Sequence, residues 1–466
     1  MIDIILNEWK AHTRNKVFVK LNIFFLITLL FVSWISIFQN ASQDTKRLAA
    51  QQKVRSQWDN LQPMNPHSAA HYGSYAFKPL NLLNSIDGGI NDYTGNVLKL
   101  EGHVQNEIAY SEVSQSLSIS KFGKLKPSLI FQYLIPLMLI FLAFNRMTNE
   151  RKTGRLKLLL FQGASINQLI FGKAFSIWLY GVFLMSITII LQLFANNLDS
   201  QIIQRLILII FSYSAYYYIL SFLVTFISAI SNSSTTSLSS ILVIWILWTI
   251  FIPKIWGDVV DKIYPLPSRQ AFNSKMLSER SEGIDGHNPY DKRREQLKNK
   301  YLNKYDVDSL SQLPINFDGI VMQEDEEYGN QIWDKHFGNN YAILKKQKEL
   351  YQKAGIINPF VSLNSLSMGF CGTDMLHHLE FLKKSEEYRR YLVKSLNDEH
   401  AYGGSKTGDW KWTVDNVFFR SIDRFNYTNP KIINILNYYI SDILFLVFWI
   451  FFISIIIIIY KKDHIF

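Results

Sequence analysis

The sequence predicts an all-α polytopic membrane protein, with six transmembrane helices and a mainly helical extracytoplasmic domain built from two inserts. Of its 466 residues, 48% are hydrophobic and only 18% are charged, whereas about 25% is usual for soluble domains. Five runs contain no Asp, Glu, Lys or Arg, namely residues 21–43, 128–145, 174–198, 206–253 and 443–460. Because a charge at the centre of a membrane helix costs about 2.5–3.5 kcal/mol on insertion scales, this clustering indicates membrane spans.

A membrane-crossing helix needs about 20 apolar residues, since the hydrocarbon core is ~30 Å thick and a helix rises ~1.5 Å per residue. The run 206–253 is too long for one span and contains the polar break SNSSTTS at 231–237, so it predicts two helices. The six predicted spans lie near residues 18–38, 128–145, 174–195, 206–229, 238–256 and 438–460. The first is predicted to be permanent, because its apolar stretch exceeds the roughly 7–15 residues of a cleaved signal peptide.

Basic residues beside the spans predict the orientation of the chain. They are Lys10, Arg14, Lys16, Arg146, Arg151, Lys152, Arg155, Lys157, Lys173, Lys461 and Lys462. The positive-inside rule places both termini and the loop 146–173 in the cytoplasm, which six spans allow. The single cysteine, Cys371, excludes an intrachain disulfide framework. An exported domain without disulfides favours a bacterial inner (cytoplasmic) membrane, with the large domain in the periplasm.

The spans divide the chain into five predicted regions. These are an N-terminal amphipathic helix with the first span (1–38), a first insert (39–126), spans two to five (127–256), a second insert (257–437), and the sixth span with its tail (438–466). Apolar residues recur at helical spacing in 44–62, 321–353 and 375–401, whereas 87–96 is rich in turn-forming residues. We expect the two inserts to pack together as one domain.

The segment NERKTGRLKLLLFQGAS, residues 149–165, connects two predicted spans on the cytoplasmic side. Leu156 and the run 158–161 offer an apolar face, while Gly154 and Gly163 allow bends. Its basic residues alone would fit an ordinary loop retained by the positive-inside rule. The apolar face needs a cover in the cytosol, however, and therefore predicts a docking partner.

The same segment carries the pattern E-R-x-x-G-x-L-x-L-L-L-x-x-G-x-S, followed by F-G-K at 171–173 and a new span. This pattern resembles the coupling helix of type-2 ABC export permeases, which docks on a cytoplasmic ATPase subunit. The resemblance implies that the ATPase is contacted or positioned by Glu150, Arg151, Gly154, Arg155, Leu156, Leu158, Leu159, Leu160, Gly163 and Ser165. The segment 6–18, with Glu8, Trp9 and Arg14, resembles the amphipathic helix at the membrane surface of that family.

Three further segments, 65–79, 87–107 and 365–397, resemble a subgroup of these permeases that has a large uncharacterised periplasmic domain. The signature positions are His71, Gly73, Asp87, Gly95, His103, Gly372, Thr373, Asp374, His378, Tyr388 and Arg389. The resemblance implies a permease subunit that couples ATP hydrolysis to export or extraction of a substrate it does not identify. It also implies a second permease half, identical or homologous, in the same bilayer.

The chain lacks the motif of an ATPase. A P-loop requires G-x-x-x-x-G-K-[ST], and the nearest string, GGSKTG at 403–408, has the wrong spacing. We therefore expect ATP and Mg²⁺ to bind on the partner subunit and no cofactor to bind here. Although the net charge is +10, basic residues do not interleave with aromatics on a soluble face, so nucleic-acid binding is not expected.

Two other classes of function remain open, and the first is an extracytoplasmic metal-dependent membrane enzyme. Adjacent His377 and His378 point about 100° apart on a helix, and neither H-E-x-x-H nor H-x-x-E-H is present. His67 and His71 could share a helix face, and Glu101 and His103 a strand face. We predict no metal site, with the outer histidines in structural or surface roles. The second alternative, a sensor or scaffold without transport, needs only one or two spans.

Overall fold

The computed structural model describes residues 2–14, 16–80, 82–107, 125–195, 199–288 and 290–460. It confirms the predicted fold class, because this part of the chain is mainly helical and contains six helices long and apolar enough to cross a membrane. These six spans are Phe18–Asp59, Pro127–Lys152, Ile166–Phe194, Ser200–Ile230, Ser234–Ile263 and Ile432–Ile459.

The helices that lie outside the membrane are numbered in chain order, and the end of span two is counted among them as α4. They are α1 (Ile2–Arg14), α2 (Pro66–Tyr72), α3 (Asn91–Thr94), α4 (Arg146–Lys152), α5 (Arg155–Phe161), α6 (Arg269–Arg280), α7 (Lys292–Tyr305), α8 (Phe317–Gln352), α9 (Pro359–Cys371), α10 (Met375–Tyr402) and α11 (Asn416–Ser421). Short 3₁₀ helices occur at Leu82–Ser85, Leu310–Gln312, Lys353–Ile356 and Leu436–Tyr439.

The first span is the N-terminal part of one continuous helix of 44 residues, Lys16–Asp59. At ~1.5 Å per residue this helix is about 66 Å long, twice the thickness of a bilayer core. The helix predicted separately at 44–62 is therefore the extension of the first span. It carries the chain directly from the membrane into the insert domain, defined as the folded unit formed by the two inserts.

Spans two and five each contain one π-helical turn, at Ile130–Leu134 and at Leu247–Phe251. In both cases a proline, Pro136 or Pro253, lies in the first turn of the α-helix that follows. Because proline cannot donate a backbone hydrogen bond, the helix must rearrange locally, and a π turn is one way to do so.

Span four is the centre of the bundle, where its Tyr213, Tyr216 and Tyr217 side chains are fully buried. Spans one, five and six instead have only about a fifth of their residues buried, and several of their apolar side chains are exposed, as Phe24 at 68% and Trp34 at 63% illustrate. Such faces suit contact with lipid or with another membrane subunit.

At one end of the bundle lie α1, α4, α5 and the turn between spans four and five, and we call this the basic end. The insert domain lies at the other end. Its two strands, Ser74–Phe77 and Val97–Leu100, pair antiparallel, and α10 packs against both α8 and α2. Trp58 of the long first helix donates from its indole Nε1 to the Phe419 carbonyl at 2.9 Å, which joins the two inserts.

Candidate functional site

Two glycines shape the segment between spans two and three. Gly154, with φ +75°, separates α4 from α5, and Gly163, with φ +95°, follows the end of α5. No atom lies within 4 Å of a Cβ built on either residue. The left-handed backbone, and not a shortage of space, is therefore what favours glycine at both bends.

Helix α5 has one buried and one exposed apolar side. Leu156 and Leu160 are 1% and 8% exposed and pack into the bundle, whereas Leu158 and Phe161 are 58% and 82% exposed. Leu159 is partly buried against the same bundle core. The single exposed face predicted for Leu156 and 158–161 is therefore wrong in detail, because three of those five side chains pack α5 against the membrane helices.

A partly buried cluster of charges around Lys173 joins α1, α4 and span three. The Lys173 ammonium, 3% exposed, pairs with Glu8 of α1 and lies 2.7 Å from an Oε1 of Glu150 in α4. Arg146 completes the cluster at 3.2 Å from Glu8. Glu150, which the sequence pattern assigns to the ATPase contact, is therefore engaged within this chain, and so is Glu8 of the N-terminal helix.

Hydrogen bonds also connect α4 to the turn between spans four and five. The Arg151 guanidinium donates to the carbonyls of Ala229 and Ser231, the latter at 2.6 Å. The Met147 amide donates to Ser228 Oγ at 3.1 Å, and Thr148 Oγ1 lies 2.8 Å from Ser234 Oγ. Because α4 also continues from span two, a displacement of this helix would reach four spans.

The remaining predicted residues of the basic end have structural positions of their own. Arg155 is exposed on α5, and Ser165 exchanges two hydrogen bonds with Gln168 at the start of span three, at 3.1 Å and 3.0 Å. This reciprocal pair is a capping box. The Trp9 ring meets Tyr180 of span three edge-on at 6.5 Å, while Arg14 is exposed at the end of α1.

At the membrane face of the insert domain, Asp87 begins a chain of buried hydrogen bonds that enters the bundle. Its carboxylate accepts from Ser367 of α9, and the Ser367 and Tyr213 hydroxyl oxygens are 2.8 Å apart. Gln132 of span two then donates to the Tyr213 hydroxyl at 3.1 Å. Burial raises the pKa of Asp87. This series of hydrogen bonds links the insert domain directly to spans two and four.

The signature run Gly372–Asp374 connects α9 to α10. Gly372 ends α9 with φ +73°, and the Thr373 carbonyl accepts from the Ile90 amide at 2.9 Å. Asp374 caps α10 and accepts a 2.7 Å hydrogen bond from the Tyr439 hydroxyl. Burial alone would raise the pKa of Asp374, but its hydrogen bond with His377 and the charge of Lys348 hold that pKa well below its usual value.

Other signature residues fix the domain internally. Gly73 and Gly95 adopt positive φ values of +69° and +75°, and a Cβ on Gly73 would lie 2.3 Å from the Leu100 carbonyl oxygen. His378 is buried, and its pKa is lowered to about 4 by burial and by nearby Lys78.

Arg389 of α10 is only 1% exposed and forms a buried charged connection from α10 to α8. Its guanidinium donates to Glu326 at 3.0 Å and Asn330 at 2.6 Å in α8, and to Glu386 at 2.8 Å within α10. The Tyr388 hydroxyl donates to the Asp423 carbonyl at 2.7 Å. These contacts give the two residues roles in packing the domain.

Four histidines converge at the surface of the insert domain. His67 and His71 lie one turn apart on α2, His103 follows the second strand, and His287 comes from the second insert. One possible ligand atom from each lies within 4.8 Å of the others. Burial and the neighbouring histidines lower the pKa of His67 to about 3, which keeps it in the neutral form that binds metals.

The sequence predicted structural or surface roles for the outer histidines, and the structure brings four of them together. The spacing of His67 and His71 suggested a shared face, but His103 and His287 could not be joined to that pair without the tertiary structure. His377 and His378 lie elsewhere, and the His377 Nδ1 is 2.7 Å from Asp374. Buried Lys173 was also missed as an organising residue, although it ends the F-G-K motif.

A cavity of about 600 Å³ lies between α8, α10 and the start of the sixth span. Side chains of both charge signs line it, among them Asp334, Lys345, His377, Glu380, Arg390 and Tyr438. Because the lining has no dominant charge, it does not select one class of ligand.

One family model, described as a domain of unknown function (DUF3526), matches residues 270–428. The matched part runs from α6 to the segment after α11, so it covers most of the second insert and includes His287 and Arg389. No curated protein and no solved structure matches this chain.

Proposed function

We propose that this chain is the membrane permease subunit of a type-2 ABC exporter and that a separate ATPase subunit drives it. The observation that carries the proposal is the exposed apolar pair on α5, Leu158 and Phe161. An isolated exposed leucine is common on protein surfaces. Leu158 and Phe161, however, lie one turn apart on a short helix that connects two spans and carries basic residues. Together they form an apolar surface to which a soluble partner could bind.

The attachments of α5 support transmission of force through it. Its inner side, Leu156 and Leu160, is packed into the bundle. Its neighbour α4 is bonded to α1 and span three through Lys173, and to the turn between spans four and five through Arg151. A push on α5 would therefore move several spans together instead of bending one loop.

The proposal includes the orientation and the assembly. The basic end faces the cytoplasm of a bacterial cell, and the insert domain faces the periplasm. The exposed apolar faces of spans one, five and six meet lipid and a second permease half, either identical or homologous. ATP and Mg²⁺ bind on the ATPase subunit, so the purified chain alone has no ATPase activity.

The hydrogen-bond chain from Gln132 through Tyr213 and Ser367 to Asp87 supports a role for the insert domain in the cycle. Because these groups are buried, a relative movement of spans two and four would break bonds that have no water to replace them. The bundle and the base of the insert domain should therefore move as coupled parts during export or extraction of the cargo.

The test is a double variant, Leu158→Asp with Phe161→Asp, co-expressed with the ATPase subunit. Two charges placed in an apolar contact should cost about 4 kcal/mol, which weakens docking roughly a thousandfold. Both side chains are exposed, so folding and membrane insertion should survive. The measurements are co-purification of the ATPase and ATP hydrolysis by the assembled complex.

The matched control is Leu158→Met with Phe161→Leu, which keeps both side chains apolar and should retain the ATPase. If the double Asp variant binds the ATPase as well as the control does, α5 is not a docking surface and the proposal fails.

A further inference from the structure

We propose that His67, His71, His103 and His287 form a binding site for one divalent transition-metal ion of the Zn²⁺ class. The site lies in the insert domain and is independent of the docking surface on α5. It also stands whether or not the chain is a transporter subunit.

The spacing of the ring nitrogens supports the site directly. The Nε2 atom of His67 lies 3.1 Å from that of His71 and 3.2 Å from that of His287. In a tetrahedral zinc site with bonds of 2.0–2.1 Å, neighbouring nitrogens are about 3.3 Å apart. The separations of His67 from His71 and from His287 are therefore already close to those of a coordination shell.

All four rings take part in the cluster. The ring centre of His103 lies 5.2 Å from that of His67, 5.1 Å from that of His71 and 4.7 Å from that of His287. Its buried Nε2 has no hydrogen-bond partner among the described residues. A buried polar nitrogen without a partner is costly, and a metal ion would relieve that cost.

The backbone around the cluster is arranged to hold these rings. Helix α2 starts with an Asn65 cap and Pro66, and its Ala69 and Ala70 are buried against the domain core. His103 has φ +64°, a left-handed conformation that is uncommon for residues other than glycine. Strained backbone of this kind persists where the surroundings fix it, and it is frequent at ligand sites.

Carboxylates stand behind one of the histidines. The Nδ1 atom of His103 is 3.2 Å from both Asp325 and Glu326 of α8. Glu326 is held in turn by Arg389 at 3.0 Å, and Asp325 pairs with Arg280. Nδ1 makes no hydrogen bond with any described residue, but the two carboxylates beside it favour a proton on this nitrogen and leave Nε2 free to bind metal, as in many zinc sites.

The donor set selects the class of ion and its role. Imidazole nitrogens suit Zn²⁺, Cu²⁺ and Ni²⁺, whereas Ca²⁺ and Mg²⁺ require oxygen ligands. Four protein ligands complete a tetrahedron and leave no position open for substrate, which is typical of structural and not of catalytic zinc. Because His287 belongs to the second insert and the other three to the first, the ion would join the two inserts.

The experiment measures zinc in the full-length chain, purified in detergent, stripped with a chelator and equilibrated with ZnCl₂. Mass spectrometry of the metal after size exclusion should find about one Zn²⁺ per chain. The double variant His71→Ala with His287→Ala should bind at least tenfold more weakly, since even loss of a supporting residue costs ~10–100-fold. His287→Cys, which keeps a metal ligand, should retain binding.

The control is Tyr290→Ala, a 90% exposed residue near His287 that offers no nitrogen ligand. Both substituted histidines are exposed, so the double variant should elute as wild type. If it aggregates, His287→Ala alone decides the question. In addition, Co²⁺ should give the visible absorption of a tetrahedral complex in the wild type and in Tyr290→Ala, but not in the double alanine variant. Equal zinc content in the wild type and in the soluble His→Ala variants would overturn the site.

Discussion

The basic end and the insert domain are each organised around a buried cation, but they present different surfaces. At the basic end, Lys173 binds Glu8 and Glu150, and an exposed apolar pair lies nearby on α5. In the insert domain, Arg389 binds Glu326 and Glu386, and the histidine cluster lies nearby. A buried ion pair adds little net stability, so its use in both places points to fixing the positions of helices. The surfaces beside them then differ in the partner they suit, a protein in one case and an ion in the other.

The largest expected effect comes from removing either buried cation. Lys173→Met leaves Glu150 without its cation and Glu8 with Arg146. Arg389→Met leaves Glu386 with Arg390 and Glu326 with His103. Each loss of a buried cation should destabilise the protein by up to about 3–5 kcal/mol. Thermal unfolding in detergent measures this loss. Lys152→Met, at an exposed position of α4, is the control and should change stability by less than about 0.5 kcal/mol.

The same pair of variants separates the two regions. Lys173→Met should weaken ATPase co-purification, because α4 and α1 lose their shared anchor. Arg389→Met should leave the ATPase bound to whatever folded protein remains. Equal loss of the ATPase in both variants would show that the two ends do not act separately.

An intermediate effect is expected at the hydrogen-bond chain that links the regions. Tyr213→Phe removes the hydroxyl between Ser367 and Gln132, at a cost of about 1–3 kcal/mol. ATPase docking should persist while hydrolysis by the assembled complex changes. Tyr218→Phe is the matched control, since its hydroxyl bonds Ser454 within the bundle and does not reach the insert domain. Identical behaviour of the two variants would show that this series of hydrogen bonds does not couple the insert domain to ATP hydrolysis.

The smallest effect should be seen at two glycines, and it should have opposite signs. Gly154→Ala places a side chain at φ +75° and should cost about 1 kcal/mol, although nothing crowds the position. Gly257→Ala, inside the helix Ile252–Ile263 with equally open space, should instead stabilise by about 0.5–1 kcal/mol. The unfolding midpoint should fall for Gly154→Ala and rise for Gly257→Ala. Stabilisation by Gly154→Ala would show that the backbone at this bend is not left-handed.

The number and type of the membrane helices could be predicted because the cost of burying charge is a local property of the sequence. The π turns could not, although Pro136 and Pro253 mark where helices must adjust, because several local rearrangements accommodate a proline. The length of the first helix was also missed. The composition of its polar half is that of a separate soluble helix. No glycine or proline lies between the apolar and the polar half, however, so the helix continues without interruption.

The site residues were harder to predict for a physical reason. Helical spacing groups Leu156 with Leu160, but it does not say which side of α5 the bundle covers. The exposed pair, Leu158 and Phe161, emerges only from packing. Likewise, the spacing of His67 and His71 is local, whereas His287 joins them through the contact between two inserts.

The proposed contact between α5 and a cytosolic ATPase can be detected by a crosslink in living cells. A photo-crosslinking amino acid at Phe161, 82% exposed, should form a covalent adduct with the co-expressed P-loop ATPase subunit on illumination. The same amino acid at Leu277, 63% exposed in α6 of the insert domain, should form none. An ATPase adduct at Phe161 alone is the predicted result. No adduct at Phe161, or an ATPase adduct at Leu277, would show that α5 is not the surface that docks the ATPase.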